Sequence, residues 1–142
     1  RHVITKVVPF WCFILCVILM IVGTIYTNIF NDLNKIYEDS RWCETPYAEV
    51  ASDGSYLAID TNPYCSDILG LSGKAGDMTY AEDAWNAIEE VNQKLGIPDV
   101  VTRNMTLTTY DDGLQTYEGN WFVMKWKYHP NIGLEVMYEK IR

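Results

Sequence analysis

The sequence predicts an α+β fold, in which a single N-terminal transmembrane helix continues as a stalk into one small domain. Three observations support this fold: an uncharged run near the start of the chain, an amphipathic helical pattern over residues 79–95, and strand patterns near the C-terminus. We expect an antiparallel sheet of three or four strands, with the 79–95 helix packed on its apolar face.

The uncharged run extends from Val7 to Asn31. Roughly 20 apolar residues are enough for an α-helix to cross a bilayer core about 30 Å thick. Arg1 and Lys6 precede the run, so the positive-inside rule predicts an N-terminus inside and a C-terminal domain outside, in an extracellular, periplasmic, luminal or intermembrane space. The run is long for a signal peptide and has no small-residue cleavage site, which favours an uncleaved signal anchor. Because the sequence does not start with Met, we expect the true N-terminus to lie upstream.

The expected organisation has four parts. They are a cytoplasmic flank at 1–6, a transmembrane anchor at 7–31, an amphipathic stalk at 32–40 and an extracytoplasmic α+β domain at 41–142. The stalk should continue the helix of the anchor to about Asp39, because apolar residues recur there at steps of three and four. The stripe they form must pack on this domain or on a partner subunit; it contains Leu33, Ile36 and Tyr37.

Two cysteines lie in the anchor and two lie beyond it. Cys12 and Cys16 share one helix face, and packing against a neighbouring helix explains them better than a metal pair or palmitoylation, because no His or carboxylate lies nearby. Cys43 and Cys65 form an even pair in a domain expected outside the membrane, which predicts a disulfide. Asn104 begins an Asn-Met-Thr sequon and is a weaker candidate for N-glycosylation.

A short hairpin and a helix are the first elements expected in the domain. The turn Ser52-Asp53-Gly54 separates two strand-like segments, 47–50 and 56–59. In the helix at 79–95, Thr79 with Glu82 matches a capping box. Gly96 then stops this helix, and a proline two residues later prevents its return.

The C-terminal residues are expected to form strands. Residues 104–110 alternate apolar and polar side chains, and Asp111-Asp112-Gly113 is typical of a turn. Segments 121–128 and 134–141 should pair as a hairpin. Pairing Tyr128 with Leu134 sets Trp126 opposite Val136 and Met124 opposite Tyr138. The same register sets Lys127 opposite Glu135 on the other face.

No catalytic motif or cofactor site emerges from the sequence. The domain has one histidine, His129, expected in a hairpin loop, and it has no nucleophile elbow or zinc-protease motif. Asp60-Thr61-Asn62 begins like a calcium loop, but Pro63 ends the resemblance. We therefore expect a protein that is not an enzyme, with no metal and no cofactor.

Charge and aromatic content suggest the class of partner. The net charge is −8, and every acidic residue lies beyond the uncharged run, which argues against nucleic acid. Trp42 and Trp121 fall on no predicted core face, and exposed Trp is typical of protein interfaces. With these two, the expected interface contains Cys12, Cys16, Leu33, Ile36 and Tyr37.

Our leading hypothesis is a non-enzymatic, single-pass, membrane-anchored structural or assembly subunit of a larger membrane complex. It would dock through its transmembrane helix and its acidic, aromatic-rich outer domain. Its expected partners are other membrane protein subunits, the lipid bilayer, or a second copy of the chain. The alternative is a membrane-anchored virion or cell-surface protein whose outer domain binds a ligand, with carbohydrate as one candidate. A third hypothesis is an anchored hydrolase that uses scattered carboxylates.

Overall fold

The chain divides into two compact units, Arg1–Asp32 and Leu33–Arg142. The computed structural model describes residues 10–30, 32–62, 80–131 and 133–141. The second unit is called the folded domain below.

The first unit contains the helix α1 (Phe10–Phe30), whose sequence has no charged residue. The prediction of one continuous helix to Asp39 is wrong. Asp32 is not helical, and a separate short helix, α2 (Leu33–Glu38), begins after it. The predicted stalk is therefore mostly the first element of the folded domain, because the boundary between the two units falls after Asp32.

The transmembrane anchor predicted at 7–31 is not supported. Over the part of the chain that the structure describes, no helix combines the length and apolar character needed to cross a bilayer. The expected single-pass topology, with the N-terminus inside and the C-terminal domain outside, depends on this anchor and is therefore not supported either.

The folded domain is built on one antiparallel sheet. Its strands are β1 (Ala48–Val50), β2 (Tyr56–Asp60), β3 (Gln115–Glu118), β4 (Phe122–His129) and β5 (Gly133–Lys140). They lie in the order β1-β2-β5-β4-β3, and every neighbouring pair is antiparallel. The α+β class is correct, but the sheet has five strands rather than three or four.

The two predicted hairpins are present. β1 and β2 pair around a turn in which Gly54 has φ +66°, a left-handed conformation that favours glycine. β4 and β5 pair in the predicted register: Tyr128 with Leu134, Trp126 with Val136, Met124 with Tyr138, and Lys127 with Glu135. The last pair forms an ion pair, with Lys127 Nζ 3.0 Å from Glu135 Oε2.

The amphipathic helix is confirmed as α3 (Ala81–Lys94), with a different N-terminus. Tyr80 occupies the N-cap position, although its side chain does not cap the helix, and Thr79, the expected cap, lies outside the described residues. The C-terminus is a Schellman motif. The Ile97 N–H donates to the Asn92 carbonyl at 2.9 Å, and the N–H of Gly96, at φ +67°, donates to the carbonyl three residues before it at 3.1 Å.

A second helix, α4 (Asp99–Leu107), occupies part of the segment predicted as a strand at 104–110. Pro98 precedes this helix with an extended backbone. Asp99 lies in the first turn, where its negative charge interacts favourably with the positive end of the helix dipole. Met105 is 2% exposed and lies one helical turn after the half-buried Val101, whereas Leu107 is 66% exposed. Burial therefore follows the helical spacing and not the strand alternation.

The core of the folded domain lies between one face of the sheet and the helices. The sheet contributes alternate residues such as Met124, Val136 and Tyr138, and α3 contributes Ile88 and Val91. Tyr138 donates its hydroxyl to Asn92 of α3 at 2.8 Å, which joins the helix to the central strand.

Candidate functional site

α1 presents apolar side chains on every side. Ile18, Leu19, Met20, Ile21 and Val22 are each more than half exposed, and five consecutive positions cover more than one full turn of a helix. Trp11 is 77% exposed and Phe13 66%. A helix that is apolar all round is normally covered by other apolar groups.

Both cysteines of α1 carry free, exposed thiols. Cys12 and Cys16 lie four residues apart, as predicted, and so share one face of the helix. Within the described ranges, no group of three or more His, Cys, Asp or Glu side chains could hold a metal ion.

The predicted interface residues of the stalk are instead part of the domain core. Leu33 is fully buried, and Ile36 and Tyr37 pack against the core cluster. α2 lies against β1 and β2. The stripe therefore rests on its own domain, which was one of the two alternatives left open by the sequence.

The two tryptophans proposed for an interface are also packed. Trp42 is 5% exposed, contacts Tyr37 edge-to-face at 5.8 Å between ring centroids, and donates its indole N–H to Glu90 Oε2 at 2.9 Å. Trp121 is partly buried against Phe122. Neither presents a whole indole ring to a partner in this structure.

Glu90 links the Trp42 cluster to the surface. Lys94 lies 2.6 Å from its other carboxylate oxygen, one helical turn along α3. The ammonium group of Lys94 lowers the pKa of Glu90 most, partial burial opposes it, and the indole N–H of Trp42 lowers the pKa further. The carboxylate therefore stays charged at neutral pH and holds Trp42 in place.

The predicted disulfide between Cys43 and Cys65 is not seen. Cys43 carries a free thiol and is partly exposed, and Cys65 lies outside the described residues. Sequence spacing alone does not establish a disulfide, because the bridge also requires a specific Cβ geometry.

The sequon lies on α4. The side chains of Asn104 and Thr106 are exposed, while Met105 between them is buried against the core. The Thr106 hydroxyl donates to the carbonyl of Arg103 at 2.7 Å. Glycosylation of Asn104 stays a prediction, on a helix rather than on the expected strand.

A groove of about 320 Å³ lies between α3 and α4, and we call it the α3–α4 groove. Trp85 supplies its aromatic wall, and its indole N–H donates to Glu89 Oε1 at 3.0 Å. Gln93, Asp99 and Arg103 add polar groups. The groove was not predicted from the sequence, because the end of α4 was expected to form a strand.

His129 lies at the end of β4 and makes two local contacts. Its Nδ1 accepts the backbone N–H of Asn131 at 3.1 Å, and its ring contacts Tyr110 edge-to-face at 5.0 Å between centroids. These contacts fit a residue that shapes a hairpin turn.

No family model, curated protein or solved structure matches this chain.

Proposed function

We propose that this chain is a non-enzymatic assembly subunit that docks on another protein through α1. The observation that carries the proposal is the all-round exposure of apolar side chains on α1, from Trp11 to Ile25. In water this surface is unfavourable, so covering it supplies a driving force for association.

The size of this driving force fits a protein interface. Full burial of one Val, Leu, Ile, Phe or Met side chain is worth about 1.5–3 kcal/mol. Covering four or five of the exposed apolar side chains of α1 would therefore release on the order of 6–15 kcal/mol. Association costs an estimated 4–15 kcal/mol or so. Because α1 has no charged residue, the partner surface must itself be mainly apolar.

Polar substitutions on one face of α1 test the proposal. Leu15→Gln with Leu19→Gln changes two exposed positions one turn apart, and Gln keeps a good helix propensity. For this double variant, the fraction of the chain found in complexes should fall by about tenfold or more, as measured by native mass spectrometry of gently prepared extracts. Val100→Gln is the matched control, because Val100 is equally apolar and 62% exposed but lies on α4.

Cross-linking identifies the partner. A thiol-directed cross-linker attached at Cys12 or Cys16 should capture one defined protein, since both thiols are exposed on α1. A chain that remains monomeric, with no cross-linked product above its own mass, would rule out docking through α1.

A second candidate function is ligand binding in the α3–α4 groove. An aromatic wall with planar polar side chains around it suits a neutral sugar, which stacks on an indole and bonds through its hydroxyls. Titration with a panel of disaccharides, monitored by tryptophan fluorescence, tests sugar binding in this groove. Trp85→Ala should abolish the response and Trp121→Ala should not, whereas no response to any sugar would remove this candidate.

A further inference from the structure

The sheet has an open edge at β3. β4 pairs with one side of β3, and among the described residues no strand pairs with the other side. The Gly119 N–H donates to the Phe122 carbonyl at 2.8 Å, which marks a hydrogen-bonded pair at the end of this hairpin. Because such pairs alternate along an antiparallel ladder, the backbone groups of Tyr117 face β4, and those of Thr116 and Glu118 point outward.

A groove runs beside this open edge. It has a volume of about 380 Å³, lies between α4 and β3, and is called the edge groove. Trp126 and Tyr117 line it from the sheet, and Val101 and Leu107 line it from α4. Leu107 is 66% exposed and adds an apolar side chain at the rim of the groove, beside the polar Asn104 and Gln115.

The opposite side of β3 is polar and acidic. Thr116 and Glu118 are exposed and alternate with Gln115 and Tyr117, which face the same side as the core residues of β4. Asp112 lies at the end of the edge groove, and hydrogen bonds from the backbone N–H and then the hydroxyl of Thr109 lower its pKa. The carboxylate of Asp112 therefore remains charged at neutral pH, and with the acidic Glu118 on the other face it favours a basic partner.

We propose that β3 is the docking edge for an extended peptide segment of a partner protein, in which apolar and basic residues alternate. The segment adds to the sheet as a further strand, bonding the outward backbone groups of Thr116 and Glu118. Its apolar side chains enter the edge groove, and its Lys or Arg side chains lie beside Glu118. The inference rests on the proposed assembly role only in that the partner is a protein.

Short peptides test this docking edge directly. The probe is an acetylated, amidated hexapeptide of sequence KVKVKV, titrated against the full chain while the amide signals of Thr116 and Glu118 are followed by NMR. We expect saturable shifts at both amides and no response to EVEVEV. Glu118→Gln should weaken binding and reduce its dependence on salt.

Thr116→Pro is the decisive variant. Proline removes one outward N–H, is tolerated on an edge strand, and should leave the β3–β4 ladder intact. We expect about tenfold weaker binding of KVKVKV or more, with an unchanged circular dichroism spectrum. Thr116→Ala, which retains the N–H, should bind like the unchanged protein.

Several results would overturn the proposal. Equal binding of EVEVEV, unchanged binding by Thr116→Pro, or no binding of KVKVKV at millimolar concentration would each do so. Unfolding of Thr116→Pro would show that this N–H bonds β4 instead. Self-association that Thr116→Pro abolishes would assign the edge to a second copy of the chain. Because the Leu15→Gln, Leu19→Gln variant should still bind the peptide, failure here is distinguishable from failure of docking through α1.

Discussion

Replacing Tyr138 by Phe tests the polar network that joins α3 to the sheet. The hydroxyl of Tyr138 donates to Asn92 Oδ1 at 2.8 Å, and Asn92 Nδ2 donates to Thr102 Oγ1 at 2.9 Å. Tyr138 is fully buried and Asn92 is 1% exposed. The change removes one oxygen, so the amide oxygen of Asn92 loses this donor in a place with little access to water.

The expected cost follows from that lost donor. A buried acceptor left without a hydrogen bond costs about 1–3 kcal/mol. The phenyl ring remains, so the packing of the core changes little. In a domain of this size each kcal/mol lowers Tm by roughly 4 °C, so the free energy of unfolding should fall by about 1–3 kcal/mol and Tm by about 4–12 °C.

Urea unfolding followed by circular dichroism, together with a thermal scan, measures both quantities. Tyr56→Phe is the matched control, because the Tyr56 hydroxyl donates to Glu49 at 2.9 Å in an exposed position and its loss should cost under about 0.5 kcal/mol. The slope of unfolding free energy against urea should not change. If Tyr138→Phe costs no more than Tyr56→Phe, the reasoning about this network is refuted.

Three further predictions concern pH and backbone strain. Burial raises the pKa of the Tyr138 hydroxyl, so only the unfolded state releases this proton near pH 10. The free energy of unfolding should therefore fall as the pH rises above about 10. Urea titrations at several pH values should show a shallower fall for Tyr138→Phe. The lowered pKa of Glu90 stabilises the folded state above about pH 4.5, and this stability is lost as the pH falls. The Glu90 side chain is 40% exposed, so solvent screens the effect. In unfolding measured between pH 3 and 7, Glu90→Gln should remove under about 1 kcal/mol of the acid dependence. Gly133→Ala should lower the free energy of unfolding by roughly 2 kcal/mol or more, since Gly133 has φ +95° and a Cβ there would lie 2.5 Å from Thr61 Oγ1. Gly96→Ala is the control, because Gly96 has φ +67° but no atom near the added Cβ, and it should cost about 1 kcal/mol. Equal costs in thermal unfolding would contradict the steric argument.

The C-terminal hairpin shows how much of the fold could be predicted from sequence. Its register follows from two strands whose apolar faces and opposite charges match in one alignment, and all four predicted pairs of β4 and β5 are observed. The same reasoning found α3, because its apolar face and the terminal Gly96 are local signals.

α4 and β3 were not found, for different reasons. Met105 and Leu107 satisfy a strand alternation, whereas Val101 and Met105 satisfy a helical turn, and only contact with the core distinguishes the two. Pro98-Asp99 after a helix-ending glycine was the local signal for a new helix. β3 is four residues long and all of its side chains except Tyr117 are polar, so the sequence shows no strand alternation there.

The candidate sites divide in the same way. The apolar exposure of α1 could be expected from its composition, although its ends and its separation from α2 could not. Trp42 was expected at an interface because its local pattern places it on no core face. Its burial depends in part on Glu90, which accepts its indole hydrogen bond from 48 positions further along the chain.

By itself, the sequence determined the α+β class, the β4–β5 register, the helix ending at Gly96 and the uncharged composition of α1, because these depend on periodicity and neighbouring residues. The five strands of the sheet in the described residues, with β3 at one edge, became evident only from the three-dimensional structure. It also decided that Cys43 carries a free thiol and that the apolar stripe of α2 packs on its own domain. These features depend on which distant segments meet, and that choice is made by burial of the whole core rather than by any local pattern.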